Sequence, residues 1–172
     1  MTTRSNFTSQ EWELLQKPLL SVGPTVAEAV DSGAIGTVLE YGAILDAAIT
    51  ARKQYVSNTL LQALLADALH QGLSKQPDHQ RARPGIDFTH LKAELLTACG
   101  KAVGLLKHTA SQQEAVEYRL VVLNIGAQVA NAAREGGAGV GGSKINEAEE
   151  ALLREISEAL GIAEEQHPLE EA

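Results

Sequence analysis

The chain has 172 residues, of which 44% are hydrophobic but only 3% aromatic, and its formal net charge is -8. This length suffices for one domain with its own core, and the negative charge argues against binding to DNA, RNA or an anionic membrane surface. The single cysteine, Cys99, cannot form an intrachain disulfide, and no apolar run is long enough for a membrane span. Because residues 1–12 also lack a secretory signal, we expect a cytoplasmic protein without membrane insertion.

Capping signals place the first predicted helix. Thr8 and Glu11 have the spacing of a capping box, and Phe7 and Trp12 have the spacing of a hydrophobic staple. Pro18 predicts the end of this helix or a short break in it, because proline disrupts the interior of an α-helix.

Three more helices are predicted before residue 74. Pro24 is well placed to open a short second helix, which stops at the sequence DSGAIG. A third helix is expected from about Thr37 to Ala51, and an amphipathic fourth from Tyr55 to Leu73. Residues 74–85 are polar and contain two prolines, so they predict a loop.

The second half of the chain predicts three further helices. Thr89 is expected to cap the fifth helix, in which Gly100 and Gly104 suggest a close contact with another helix. The capping box SQQE at 111–114 opens the sixth helix, whose apolar residues cover most of its sides and place it in the middle of a bundle. Asn146 caps the seventh helix, and Gly161 stops it.

The alternation of apolar and polar residues that is typical of strands occurs nowhere in the chain. We therefore predict an all-α, single-domain bundle of about seven helices over residues 1–162. The acidic residues 163–172 are expected to form a disordered tail.

Signatures of catalysis and of phosphate binding are missing. The glycine-rich residues 134–144, REGGAGVGGSK, follow a predicted helix rather than a strand, and they reverse the Gly-Lys-Ser order of a P-loop. Counted from Asp31, the oxygen ligands of an EF-hand are absent, and the five histidines lack zinc-site spacing. Cys99 lies between small residues and is interpreted as a buried side chain rather than a nucleophile. The glycine-rich segment is therefore interpreted as a hinge between two helices, and no enzymatic activity is expected.

Two segments of the sequence are similar to each other. TVAEAVDSGAIGTVLEYGAILDAA (25–48) and QVANAAREGGAGVGGSKINEAEEALLREI (128–156) both read Val-Ala-x-Ala, then Gly, then a turn with Ile, then Glu in a new helix. This pattern indicates a duplicated helix–loop–helix unit. It resembles the TerB-like family of tellurite-resistance proteins, all-α proteins of about seven helices whose two related loops read roughly Ala-Asp-Gly-x-Ile-Ser-x-x-Glu. The resemblance is carried by Asp31, Gly33, Ile35 and Glu40 in the first copy and by Ile145, Asn146 and Glu149 in the second.

The resemblance implies a role in tellurite resistance or another stress response, and weak binding of a divalent cation, Ca²⁺ or Mg²⁺. Carried over position by position, the candidate metal ligands are Asp31 and Glu40 in one loop and Glu135 and Glu149 in the other. The expected function is that of a non-enzymatic protein that acts by protein interaction, with a protein partner or self-association. The alternative is a structural or assembly subunit that oligomerises through Ala- and Leu-rich helix faces without a ligand.

Overall fold

A computed structural model describes residues 1–29, 33–74, 87–136 and 147–162. Within these ranges a 3₁₀ turn at Arg4–Asn6 precedes six α-helices, and no strand occurs. The helices are α1 (Ser9–Ala29), α2 (Gly33–Gln54), α3 (Thr59–Ser74), α4 (Phe88–Thr109), α5 (Gln112–Gly136) and α6 (Glu147–Ala159). The all-α prediction is confirmed for the described residues, with six helices in place of about seven.

The missing helix is explained by α1, which continues through both Pro18 and Pro24. The predictions that Pro18 ends or breaks one helix and that Pro24 opens another are therefore wrong. Each proline removes one helical hydrogen bond, at a cost of roughly 3 kcal/mol or more. One face of α1 nevertheless stays buried along its whole length, through Trp12, Leu15, Leu19, Val22 and Val26. Each of these buried side chains stabilises the fold by roughly 1.5–3 kcal/mol, which offsets the cost of the two prolines.

Helices α1 and α5 form the centre of the bundle. Each of them contacts all of the other described helices, and α2 packs mainly on α5 while α4 packs mainly on α1. The buried face of α5 consists of Ala115, Tyr118, Val121, Val122, Ile125, Val129 and Ala130. This confirms the central position predicted for the helix that follows the SQQE box.

Close helix packing occurs at glycines other than those predicted. A Cβ atom on Gly23 would lie 2.5 Å from the side chain of Ile44, and one on Gly126 would lie 3.1 and 3.2 Å from side chains of α1 and α6. At Gly100 and Gly104 an added Cβ would meet nothing within 4 Å, so the predicted close contact there is wrong. Both glycines lie on the exposed side of α4.

The helix ends follow local sequence rules in most places. Asp87, rather than the predicted Thr89, caps α4, because its carboxylate accepts a hydrogen bond from the Thr89 N–H at 3.0 Å. Gly161 has φ +66°, and the N–H groups of Gly161 and Ile162 donate to the carbonyls of Glu158 and Ser157. This is the Schellman arrangement, in which glycine avoids the steric cost of a left-handed backbone, and it confirms Gly161 as the stop of the last helix.

Several predictions lie outside the described residues. They concern the predicted loop at 74–85 beyond Ser74, the loops of the two related units (30–32 and 137–146), the cap at Asn146, and the tail at 163–172. The duplicated helix–loop–helix unit and the hinge therefore stay predictions. None of the described helices combines the length and the hydropathy needed to cross a membrane.

Candidate functional site

The four candidate metal ligands are only partly described. Asp31 lies outside the described residues, as do the side chains of Glu40 in α2 and Glu135 in α5. Glu149 lies in the first turn of α6, and only 2% of its surface is exposed. Among the described residues no group of three or more His, Cys, Asp or Glu side chains has a geometry that could hold a metal ion. The cation site therefore stays a prediction based on the family resemblance.

Glu114 is the centre of a buried polar cluster at one end of the bundle. Its Oε1 accepts a hydrogen bond from the Thr2 N–H at 2.8 Å, and its Oε2 accepts from the Thr2 Oγ1 hydroxyl at 2.8 Å. Oε2 also accepts from the N–H and the hydroxyl of Ser111, at 3.0 and 2.8 Å. The predicted capping box of α5 is thus confirmed, and the same carboxylate holds the N-terminal segment against the bundle.

Hydrogen bonds also decide the protonation of this carboxyl group. Burial by itself raises the pKa of Glu114, but the hydrogen bonds from Thr2 and Ser111 outweigh burial and lower the pKa to about 2. Glu114 is therefore ionised at neutral pH, with its oxygens engaged by four donors. A carboxylate in this state is a poor proton donor near pH 7, so its role is structural.

Asn58 extends the cluster to the start of α3. Its Oδ1 accepts from the Leu61 N–H at 3.0 Å, so it caps this helix, and its Nδ2 donates to Glu117 Oε2 at 2.8 Å. Thr59 Oγ1 donates to the carbonyl of Thr2 at 2.8 Å. The cluster thus joins the starts of α3 and α5 to residue 2. Sequence reasoning found its local capping box but not its long-range bonds, which link residues up to 112 positions apart.

The aromatic residues near the start of α1 also have a structural role. The rings of Phe7 and Trp12 lie 5.8 Å apart, which confirms the hydrophobic staple, and the guanidinium of Arg4 lies 4.8 Å from the Trp12 ring. Trp12 Nε1 donates to Asp67 Oδ2 at 2.8 Å and so ties α1 to α3. Neither ring is left free to stack on a ligand, because 7% of Phe7 and 3% of Trp12 are exposed.

Two groups that can act as nucleophiles are in the core. Burial raises the pKa of the Cys99 thiol to about 12, so the reactive thiolate is rare at neutral pH. Burial likewise raises the pKa of Tyr118 well above its usual value, and its hydroxyl donates to the carbonyl of Leu15 at 2.8 Å. The interpretation of Cys99 as a buried small residue is confirmed.

An open cleft between α1 and α4, which we call the α1–α4 groove, is a concave surface formed by described residues of varied chemistry. Its volume is about 510 Å³. The residues that line it are Gln10, Glu13, Leu14, Lys17, His90, Ala93, Glu94, Thr97, Ala98 and Lys101. Charged residues of both signs therefore line the groove together with one leucine and two alanines.

The contact between Lys17 and Glu94, which joins α1 to α4, and the contact between His90 and Glu94 within α4 are both loose. Lys17 Nζ and Glu94 Oε1 lie 3.7 Å apart, with side chains 52% and 47% exposed, and His90 Nε2 lies 3.7 Å from the same oxygen. Exposed pairs of this kind contribute roughly 0–1 kcal/mol. A partner with its own charges can therefore replace them at little cost.

The groove was not predicted from the sequence. Its signal is weak, because the charged residues of α1 and α4 have the i, i+4 spacing of any solvated helix face: Glu13 and Lys17 on one side, His90 and Glu94 on the other. Only the packing of α1 on α4 brings the two sets together.

The described residues thus define an all-α bundle with a polar structural cluster at one end and an open groove of mixed charge on one side. No protein-family model, curated protein or solved structure matches the chain. The resemblance to TerB-like proteins therefore stays a prediction from the residues quoted above.

Proposed function

We propose that this chain is a non-enzymatic helical protein that binds a protein partner through the α1–α4 groove. The observation that carries the proposal is the lining of the groove, in which half-buried Leu14 and exposed Ala93 lie among exposed charged side chains of both signs. Protein interfaces likewise combine apolar side chains with exposed polar and charged ones. Charges of both signs favour a partner with a complementary charge pattern over a uniformly acidic or basic one.

The state of the reactive side chains supports a non-enzymatic role. The Cys99 thiol and the Tyr118 hydroxyl are buried, and the Glu114 carboxylate is held by four donors. These groups stabilise the bundle and are not aligned with one another in a cleft. A link to stress responses and modulation by a divalent cation are added to the proposal by the TerB resemblance alone.

The alternative function, self-assembly through Ala- and Leu-rich faces, receives less support. The leucines of α3 that would supply such a face, Leu60, Leu61, Leu64 and Leu65, are completely buried in the core of this chain. Exposed large apolar residues among the described ones are few, namely Met1, Ile49 and Val56. A groove with its charges exposed is therefore the better supported surface.

Photocrosslinking in the protein's native cells tests the proposal. A photoreactive residue is placed at Thr97, which is exposed and lines the groove, and at Gln128, an exposed residue of α5, as the matched control. We expect an adduct of defined mass from Thr97 and none from Gln128. Lys17→Glu should lower the yield several-fold, whereas Lys53→Glu, an exposed charge reversal on α2, should leave it unchanged.

The mass of the adduct separates the two functions. A heterologous adduct that depends on Lys17 supports the groove as a partner site, and an adduct of two copies of this chain supports self-assembly instead. Equal yields from Thr97 and Gln128, or a yield that Lys17→Glu does not lower, would contradict the proposal.

A further inference from the structure

A second cleft, of about 270 Å³, lies where α4 turns into α5; we call it the Arg119 cleft. Its polar lining consists of Lys107 from the last turn of α4, Gln112 from the first turn of α5, and Arg119 two turns later. The remaining lining residues are apolar, and none is acidic. In a chain with a formal net charge of -8, a cleft lined by two cations and no acid stands apart from its surroundings.

Arg119 has an unused hydrogen-bond donor. Its Nε–H is buried and has no acceptor among the described residues. No described carboxylate lies within 4.0 Å of the charged atoms of Arg119 or Lys107. Buried donors in folded proteins are nearly always bonded, and the group that fits a guanidinium best is a carboxylate, which can accept two parallel N–H bonds.

We propose that the Arg119 cleft binds glutamate side chains of the acidic segment 163–172 of this same chain. The segment, AEEQHPLEEA, contains four glutamates and neither lysine nor arginine. The described chain runs to Ile162, and the preceding Gly161 lies beside Arg119, whose Nη1 is 4.0 Å from a Cβ built at that glycine. Each extended residue spans roughly 3.3–3.6 Å, so Glu164 and Glu165 are within reach of the cleft by length alone.

The Arg119 cleft is separate from the α1–α4 groove. Its two cations are complementary in charge to the glutamates of segment 163–172. Opposite charges attract most strongly where water is partly excluded, as at half-buried Arg119. A tethered segment also has an effective concentration in the millimolar range, so even a weak contact is well populated.

Competition by a free peptide tests the proposal. A labelled peptide with the sequence of residues 163–172 is titrated into the full-length chain and into a full-length variant with Glu164, Glu165, Glu170 and Glu171 all replaced by glutamine. The variant should bind the peptide, and the unmodified chain should bind it on the order of tenfold more weakly, because its own segment competes. Fluorescence anisotropy at low and at high salt measures both affinities.

Substitutions in the glutamine variant locate the contact. Lys107→Gln, at an exposed position where folding should be unaffected, is expected to weaken peptide binding several-fold, and Arg119→Lys to weaken it as well. Lys101→Gln is the matched control on the same helix, since Lys101 lines the other groove. Failure of the variant to bind the peptide, or equal effects of Lys107→Gln and Lys101→Gln, would overturn the proposal. Equal affinity of the two full-length proteins for the peptide would also overturn it, and would leave the cleft open to an acidic segment of another protein.

Discussion

Replacement of Glu114 by glutamine tests whether the polar cluster holds the N-terminal segment to the bundle. Glutamine keeps the size of the side chain but offers one acceptor oxygen in place of two, and its amide N–H₂ faces donors. The backbone N–H groups of Thr2 and Ser111 bond to different oxygens of Glu114, so one of them loses its acceptor. Both the charge and the hydrogen-bond geometry are therefore disturbed by one substitution.

The lowered pKa of Glu114 gives the size of the expected loss of stability in Glu114→Gln. A fall from the ordinary value of 4.5 to about 2 corresponds to at most about 3.4 kcal/mol, at about 1.36 kcal/mol per unit of pKa. Water still reaches part of the group, since 8% of the residue is exposed, so screening reduces this to about 2 kcal/mol. For a chain of this size the expected fall in Tm is roughly 4–8 °C.

The stabilisation that Glu114 provides depends on pH. Because the pKa of Glu114 is lower in the folded state, its stabilisation is fully present above pH 4.5 and is lost as the pH falls toward 2. The difference in unfolding free energy between the wild type and Glu114→Gln should therefore be largest near pH 7 and should narrow over this window. Urea unfolding at several pH values, followed by the fluorescence of the single Trp12, measures it.

A second capping box provides the control. Glu11 has the same role at the start of α1, where it accepts from the N–H and the hydroxyl of Thr8, but among the described residues it has no long-range partner. Glu11→Gln should destabilise the protein less than Glu114→Gln. Equal losses from the two variants, or a difference at Glu114 that stays constant from pH 7 to pH 2, would refute the assigned role of the cluster.

Three further predictions concern packing, the thiol and the cation. Gly23→Ala should destabilise the protein by about 1 kcal/mol, because overpacking against Ile44 costs roughly 1–3 kcal/mol and exceeds the gain in helix propensity. Gly100 has open space around it, so Gly100→Ala should stabilise the protein by roughly 0.5–1 kcal/mol in the same urea titration. A Gly23→Ala variant more stable than Gly100→Ala would contradict the packing described above. Cys99 should stay unreactive toward a thiol reagent for minutes at pH 8 and react at once in urea, so rapid labelling of the native protein would show that it is accessible. If a cation binds with a Kd of about 1 mM, 10 mM Ca²⁺ or Mg²⁺ should stabilise by about 1.4 kcal/mol and raise Tm by roughly 3–6 °C. Asp31→Asn should abolish this rise, and no rise in the unmodified protein would remove the cation component from the proposed function.

Local signals in the sequence predicted local structure well. The capping boxes at Thr8 and Ser111, the staple at Trp12 and the stop at Gly161 all depend on residues within five positions of one another. Their geometry is set by the backbone of one helix end, so short-range patterns contain the information. The same reasoning identified the helix that starts at Gln112 as central, because apolar residues occur on most of its sides.

Predictions that depended on other helices were less successful. Proline and glycine have fixed local preferences, but what they do in a bundle depends on what lies opposite. The helix continues through Pro18 because its buried face spans the proline on both sides. Gly23 allows close approach of Ile44, whereas Gly100 faces open space. No pattern within the residues around these positions separates the two cases.

The same limit applies with more force to binding surfaces. The α1–α4 groove joins residues near position 13 to residues near position 94, and the Arg119 cleft gathers two cations 12 positions apart on different helices. From the sequence alone, each of these charged side chains would be interpreted as a solvated residue of an amphipathic helix. They form a cleft only when packing of the apolar faces determines which polar faces lie next to one another. In a helical bundle, therefore, the buried residues that determine the fold also determine which polar side chains share a cleft. A substitution such as Gly23→Ala, which changes packing near one end of α1, is expected to affect the groove only as far as it changes the packing of α1 on α4.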